Sequence, residues 1–172
     1  MFKLLGGILV AAGATGLSFC VCKDLKMQIM MLKELRYLYQ LIQNEVRYTG
    51  LPMYLVFENI ADKVKPTFQT MLKNVSGRLQ RNHGEVLESV WKEECKKSLP
   101  KVPFTARQRE SILRFPECMG MIDKEGQAKA LQYRIEELDG WITVLEKEAD
   151  EKNKVIMSLG MGAGVLAVII LL

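Results

Sequence analysis

Side chains able to do nucleophilic, acid–base or metal chemistry are scarce or badly spaced in this sequence. The single histidine, His83, stands beside Gly84 at an apparent helix end, with no ligand-type residue at zinc-finger spacing. A surface turn residue describes it better than a general base. Of the four cysteines, Cys20 and Cys22 fall inside an apolar segment, while Cys95 and Cys118 stand far apart. No CxxC spacing occurs, which fits a reducing compartment and argues against a disulfide framework or a structural metal site. Carboxylates are plentiful, but none sits in a context that would perturb it. No GxxxxGK[ST], HExxH, GxSxG or GxGxxG occurs either. The expectation is a non-enzymatic protein with no catalytic residue, no cofactor and no metal.

The elements that carry these residues divide into three blocks. The composition, 49% hydrophobic and 26% charged over 172 residues, is that of an average soluble protein, but the charges are unevenly placed. Lys3 is the only charged residue in 1–22, and 155–172 has none. The uncharged runs 4–22 and 155–172 each have about the length a helix needs to cross a ~30 Å hydrocarbon layer. The chain therefore reads as an N-terminal transmembrane helix (1–22), a charged domain (23–154) and a C-terminal transmembrane helix (155–172). A cleaved signal peptide is the rival for the first run, with Ala12-Gly13-Ala14 as its cleavage site. Against it, apolar character continues through Leu17, Phe19, Cys20, Val21 and Cys22, so cleavage would leave an apolar start. Phe19 also defeats a lipoprotein reading, because the residue before a lipidated cysteine is normally small.

Lys23, Lys26, Lys33 and Arg36 follow the first run, and Lys147, Lys152 and Lys154 precede the second. Positive charge near span ends marks the cytoplasmic side, so the middle block is expected there, with both termini across the membrane. Ala12 with Gly16, and Gly160 with Gly164, are small pairs at the spacing that lets membrane helices pack closely.

Within the middle block, Leu25, Ile29, Leu32, Leu35, Leu38/Tyr39, Ile42 and Val46 repeat in steps of three and four. That is the signature of an amphipathic helix. Gly50 stops it and Pro52 opens a short second helix with Leu55, Val56 and Ile60, ending near Lys65-Pro66. A third helix uses Phe68, Met71, Leu72, Val75 and Leu79, and a fourth Val86, Leu87, Val90, Trp91 and Cys95. Thr105 and Gln108 form a capping box for a fifth, interrupted at Phe115-Pro116. Asp123 caps the last helix, whose seam is Ala128, Leu131, Ile135, Leu138, Ile142, Leu145 and Ala149, with Gly140 a weak point. No stretch alternates as a strand would. The fold class is all-α, a compact bundle of about six helices. The long first and last helices, about 39 and 46 Å at 1.5 Å per residue, run antiparallel as single-striped stalks, and four shorter helices pack at their far end.

The middle block has 23 basic and 20 acidic residues, too balanced for a nucleic-acid binder. Arg78 and Arg81 with Lys96 and Lys97 could meet an acidic partner, though a solvated face is the simpler account. The ten methionines are mostly core filling.

Several segments resemble one family. They are Leu4-Leu5-Gly6, then Glu45-Val46-Arg47-Tyr48-Thr49-Gly50-Leu51-Pro52, then Trp91, then Phe115…Gly120…Asp123…Gln127. The last is the ending Leu159-Gly160…Gly164…Ile169-Ile170-Leu171-Leu172. In order and spacing they resemble the stage III sporulation protein AB family of endospore-forming Firmicutes. Pro116 departs from the glycine expected after the aromatic, which leaves the conformation of that turn open. The resemblance implies a membrane platform in the channel or secretion apparatus between mother cell and forespore, in the outer forespore membrane with its soluble domain on the mother-cell side. It also implies a soluble domain similar to that of the type II secretion platform protein. The implied partners are the AA-type ATPase of the same apparatus and neighbouring membrane subunits. Glu45, Tyr48, Phe115, Gly120, Asp123 and Gln127 become positions to examine for partner contact. Simpler roles stand beside that one: Asp123 as a cap, Gly120 as a turn glycine, Phe115 as core and Tyr48 as a buried helix-end aromatic. Rival functions are a membrane-anchored adaptor without transport, a secreted helical protein beginning at Thr15, and an enzyme. Homo-oligomerisation stays open.

Overall fold

The computed structural model describes the backbone of residues 2–81, 85–100 and 102–171, and the side chains of 23–81, 85–100 and 102–155. Among the described residues seven helical segments follow one another: α1 (Phe2–Tyr48), α2 (Met53–Ala61), α3 (Pro66–Gln80), α4 (Leu87–Ser98), α5 (Ala106–Leu113), α6 (Phe115–Met119) and α7 (Lys124–Leu171). Among the described residues there is no strand. The fifth helix of the sequence is α5 and α6 together, broken at Arg114. Pro116 lies in the first turn of α6, where its missing N–H costs no helical bond. The proline thus begins a new turn of helix and does not disrupt the segment.

Ladder contacts fix the direction of the long pair. Gln43 Nε2 donates to the Ala128 carbonyl at 2.8 Å. Arg36 meets Asp139 at 2.6 Å and Lys33 meets Glu146 at 2.7 Å. Rising numbers in α1 meet falling numbers in α7, so the two helices are antiparallel. The periodic positions account for the seam: Leu32, Leu35, Leu38, Ile42 and Val46 are buried against Ala128, Leu131, Ile135, Leu138 and Ile142.

The short helices depart from expectation. They flank the α1–α7 pair and do not sit only at its far end. Gln28 Nε2 donates to Gln108 Oε1 at 2.7 Å, and the Tyr39 and Phe115 rings stack at 5.4 Å. The reason is that α1 has more than a single stripe. Met31-Leu32 and Leu38-Tyr39 are adjacent buried pairs, and neighbours in sequence stand about 100° apart around a helix. One flank of α1 serves α7 and the other serves the short helices. Val86 also departs: expected on an apolar face, it is the exposed N-cap of α4.

The centre of the core is aromatic. Trp91 lies 4.3 Å from Phe115 and 5.9 Å from Phe57 between ring centroids, and its Nε1 donates to the Ile112 carbonyl at 2.8 Å. The indole thereby joins α2, α4, α5 and α6.

Among the described residues no helix is long and apolar enough to cross a membrane. The side chains of 1–22 and 156–172, and with them Ala12, Gly16, Gly160 and Gly164, lie outside the described residues, as does His83.

Candidate interaction surface

At the end of the bundle where α1 gives way to α2, and α6 to α7, two connections meet. Gly50 has φ +64°, the left-handed region that favours glycine, and ends α1 there. Thr49 closes the last turn by donating its N–H at 2.9 Å and its hydroxyl at 2.7 Å to the Glu45 carbonyl. A Cβ on Gly50 would fall 2.2 Å from Lys124 Nζ, so the Lys124 side chain reaches across from the start of α7 to this link.

The α6–α7 connection is equally fixed. Asp123 Oδ2 accepts from the Gly126 N–H at 3.3 Å, the cap expected of it. Gln127 Nε2 donates to the carbonyls of Met121 (2.9 Å) and Met119 (3.3 Å), holding the turn to the helix that follows. Gly120, with φ −76°, is the C-cap of α6 and needs no special conformation.

Five of the six residues singled out by the family segments therefore gather at one end: Glu45, Tyr48, Gly120, Asp123 and Gln127. Phe115 does not join them, because it is fully buried in the aromatic core. Tyr48 corrects an expectation: it is 81% exposed. It stands two residues beyond buried Val46, a step of about 200° that turns it away from the seam.

Periodicity could not select Leu51, in the α1–α2 connection, or Met121 and Ile122, in the α6–α7 connection, all exposed, with Ile122 at 105%. Being in loops, they belong to no repeat. Leu51 lies within a family segment, and the only signal of Met121 and Ile122 in the sequence is bulk apolar character beside turn residues. Glu45 is half-buried, with Oε2 shut away from solvent and without a hydrogen-bond partner.

Elsewhere many of the charged groups are paired with one another. Arg78 pairs with Glu85, with Glu93 at 2.9 Å and with Glu94 at 3.1 Å, and Lys97 reaches Glu94 at 2.8 Å. Of the basic residues read as able to meet an acidic partner, Arg78 and Lys97 are thus paired to carboxylates of their own fold, and Arg81 donates to the Gly77 carbonyl. Cys95 and Cys118 are buried, and burial pushes the Cys95 thiol up to about 12 and the Cys118 thiol upward as well. Neither thiol is a thiolate near neutral pH. Among the described residues no cluster of three or more His, Cys, Asp or Glu could hold a metal ion. At the opposite end of the bundle an open cleft of about 620 Å3 separates α1 from α7. Its Lys33 and Lys65 are paired to Glu146 and Glu34.

The profile of the family described as stage III sporulation protein AB matches residues 3–172. The chain belongs to that family. Stage III sporulation protein AB of Bacillus subtilis (strain 168) is 23% identical to it over 172 residues, covering all of both chains. A solved structure of a stage III sporulation protein AB superposes with a TM-score of 0.65 at 18% identity, covering 72% of this chain and 97% of that one. The all-α bundle is therefore the fold of a stage III sporulation protein AB. The segments that carried the resemblance, Trp91 in the core and Asp123 and Gln127 at the α6–α7 turn, have definite structural places in it.

Proposed function

We propose that the protein is a non-enzymatic membrane platform of the apparatus that connects mother cell and forespore. In this reading 4–22 and 155–172 anchor it in the outer forespore membrane. The bundle stands on the mother-cell side and couples the AA-type ATPase to membrane subunits. One observation carries the reading. Because α1 and α7 are antiparallel, their two uncharged ends leave the bundle at the same end, each next to lysines (Lys23 and Lys26, Lys152 and Lys154). A hairpin so built fits a bilayer as two spans with a cytoplasmic domain. It presents the opposite end, with Tyr48 and Ile122, about 39 Å farther out at 1.5 Å per helical residue. Paired charges and unreactive thiols suit a surface that binds better than one that reacts.

The test is a crosslinked pull-down of the tagged full chain from sporulating cells in detergent, read by mass spectrometry. Recovery of the AA-type ATPase with membrane subunits is the expected result. Recovery of a soluble regulator without them would overturn the transport role and leave a membrane-anchored adaptor.

A further inference from the structure

We infer that the end of the bundle nearest the two uncharged runs, where the α4–α5 link meets α1, seats on anionic phospholipid headgroups of the leaflet that anchors the chain. The inference rests on the reading of 4–22 and 155–172 as membrane spans, and on no protein partner.

The contacts of the two links on this side set their height above the bilayer. Gln28 Nε2 donates to Gln108 Oε1 at 2.7 Å, which ties the first turn of α5 to α1. Arg109 in the same turn donates to the carbonyls of Leu99 (2.9 Å), Val102 (2.6 Å) and Phe104 (3.2 Å), and so holds the α4–α5 link there. From this turn α5 leads away from the runs, towards the Phe115–Tyr39 stack. The α2–α3 link is held higher, at Glu34, whose Oε1 accepts from the Lys65 N–H at 2.7 Å. Gln28 stands six residues past Cys22, about 9 Å along the helix, and Glu34 twelve residues past, about 18 Å. The headgroup layer beyond the hydrocarbon is roughly 5–8 Å thick on each side. It therefore reaches nearly to the α4–α5 link, and the α2–α3 link stands about one Debye length, ~8–10 Å, above it.

The charge on this side matches an anionic leaflet. The described residues of 23–34, 62–65, 96–110 and 146–155 carry twelve basic and eight acidic side chains, a net +4. The rest of the described domain carries ten basic and twelve acidic, a net −2. Every carboxylate on those segments is in the count, including Glu146, Glu34 and Glu148, which pair with Lys33, Lys65 and Lys152. Glu94, which Lys97 reaches, is already shared with Arg78. At the link itself Lys96 and Arg107 are exposed, and among the described residues neither enters an ion pair, although Glu110 follows one turn after Arg107. Cations at this height gain from the negative surface potential of a leaflet, and the gain fades within a Debye length. A second copy of the chain would set like charge against like. The space under the α4–α5 link is taken up by headgroups and leaves no room for a folded partner. Seating there fixes the tilt of the bundle on its two stalks and makes that tilt depend on anionic lipid.

The test reconstitutes the full chain in vesicles of phosphatidylcholine with a minority of phosphatidylglycerol, with a photo-crosslinking benzophenone residue at position 106, exposed beside Arg107. Positions 48 and 133, exposed and far from the link, serve as controls. The expected result is a lipid adduct from 106, absent from 48 and 133, in which phosphatidylglycerol is enriched roughly threefold over its share of the vesicle. Lys96→Glu with Arg107→Glu should abolish the enrichment, and Lys96→Arg with Arg107→Lys should keep it. Raising salt to about 0.5 M, where the Debye length is roughly 4 Å, should abolish it with the charges unaltered, so the result does not depend on a variant that folds poorly. Adducts that only mirror the bulk lipid composition, enrichment indifferent to charge reversal and salt, or adducts to a second copy would each overturn the inference. So would an adduct from 106 to a protein in place of lipid in sporulating cells. If 106 gives no lipid adduct while tags on both termini are protected from protease that cuts the bundle, the two spans stand and only the seating falls. If the chain leaves the vesicles in an alkaline carbonate wash, the spans fall and the seating with them.

Discussion

Glu94 illustrates how a carboxylate can be enclosed without being neutralised. Its side chain is 3% exposed, and burial pushes its carboxyl up. Hydrogen bonds from Lys97 (2.8 Å), Asn74 (3.1 Å) and Arg78 (3.1 Å) outweigh that and hold it below the usual carboxylate range. A folded value below the unfolded one, about 4.3, contributes stability above that pH and loses it as pH falls through the folded value. Urea midpoints should therefore stay level from pH 7 to about 5 and drop below about 4. Glu94→Gln should flatten that acid limb and cost roughly 1–3 kcal/mol at neutral pH. An unchanged acid limb would mean that other carboxylates set it. Trp91 has a different role at the same scale. Trp91→Phe keeps a ring in the cluster but removes the indole donor to the buried Ile112 carbonyl, for a loss of about 1 kcal/mol. Trp91→Ala also leaves a cavity and should cost about 3–5 kcal/mol by chemical denaturation.

At the scale of elements, two glycines with opposite roles can be compared directly. Gly50 ends α1 at φ +64°, and an alanine there would be strained by roughly 1–2 kcal/mol whatever the space around it. The Lys124 Nζ that its Cβ would meet is the end of a flexible chain and can swing aside. Adding Lys124→Ala should therefore recover little of the loss. Full recovery would show that contact, and not backbone conformation, sets the cost. Gly140 lies inside α7 with open space where its Cβ would be. Gly140→Ala should stabilise by up to about 1 kcal/mol through helix propensity alone, read as a rise in melting temperature.

For the whole molecule, the antiparallel α1–α7 pair makes the position of one terminus predict that of the other. In inverted membrane vesicles, added protease should destroy a bundle epitope while tags on both termini stay protected; in intact cells stripped of their wall the bundle should survive. N-terminal sequencing should find the first run retained. A chain beginning at Thr15, with the bundle cut from outside, would replace the two-span platform by a secreted protein.

The sequence by itself determined the all-α class, the two long amphipathic helices, the capping box of Thr105 and Gln108, the Gly50 stop and the Asp123 cap. All of these depend on residues within about one turn of each other, or on a repeat along one helix. Of the residues singled out from the family segments, Asp123 and Gln127 have definite structural places at the α6–α7 turn. Tertiary structure decided the rest, because the physical cause lies between elements. The capping Gln108 also accepts from Gln28, which lies 80 residues away in sequence, and Arg78 turned out to be enclosed by carboxylates from the α3–α4 link and α4. Tyr48 faces solvent because the α1 seam ends at Val46, and the Lys124 side chain reaches Gly50 only because α1 and α7 run antiparallel. No periodicity within either segment carries that juxtaposition, which exists only once α1 and α7 have paired.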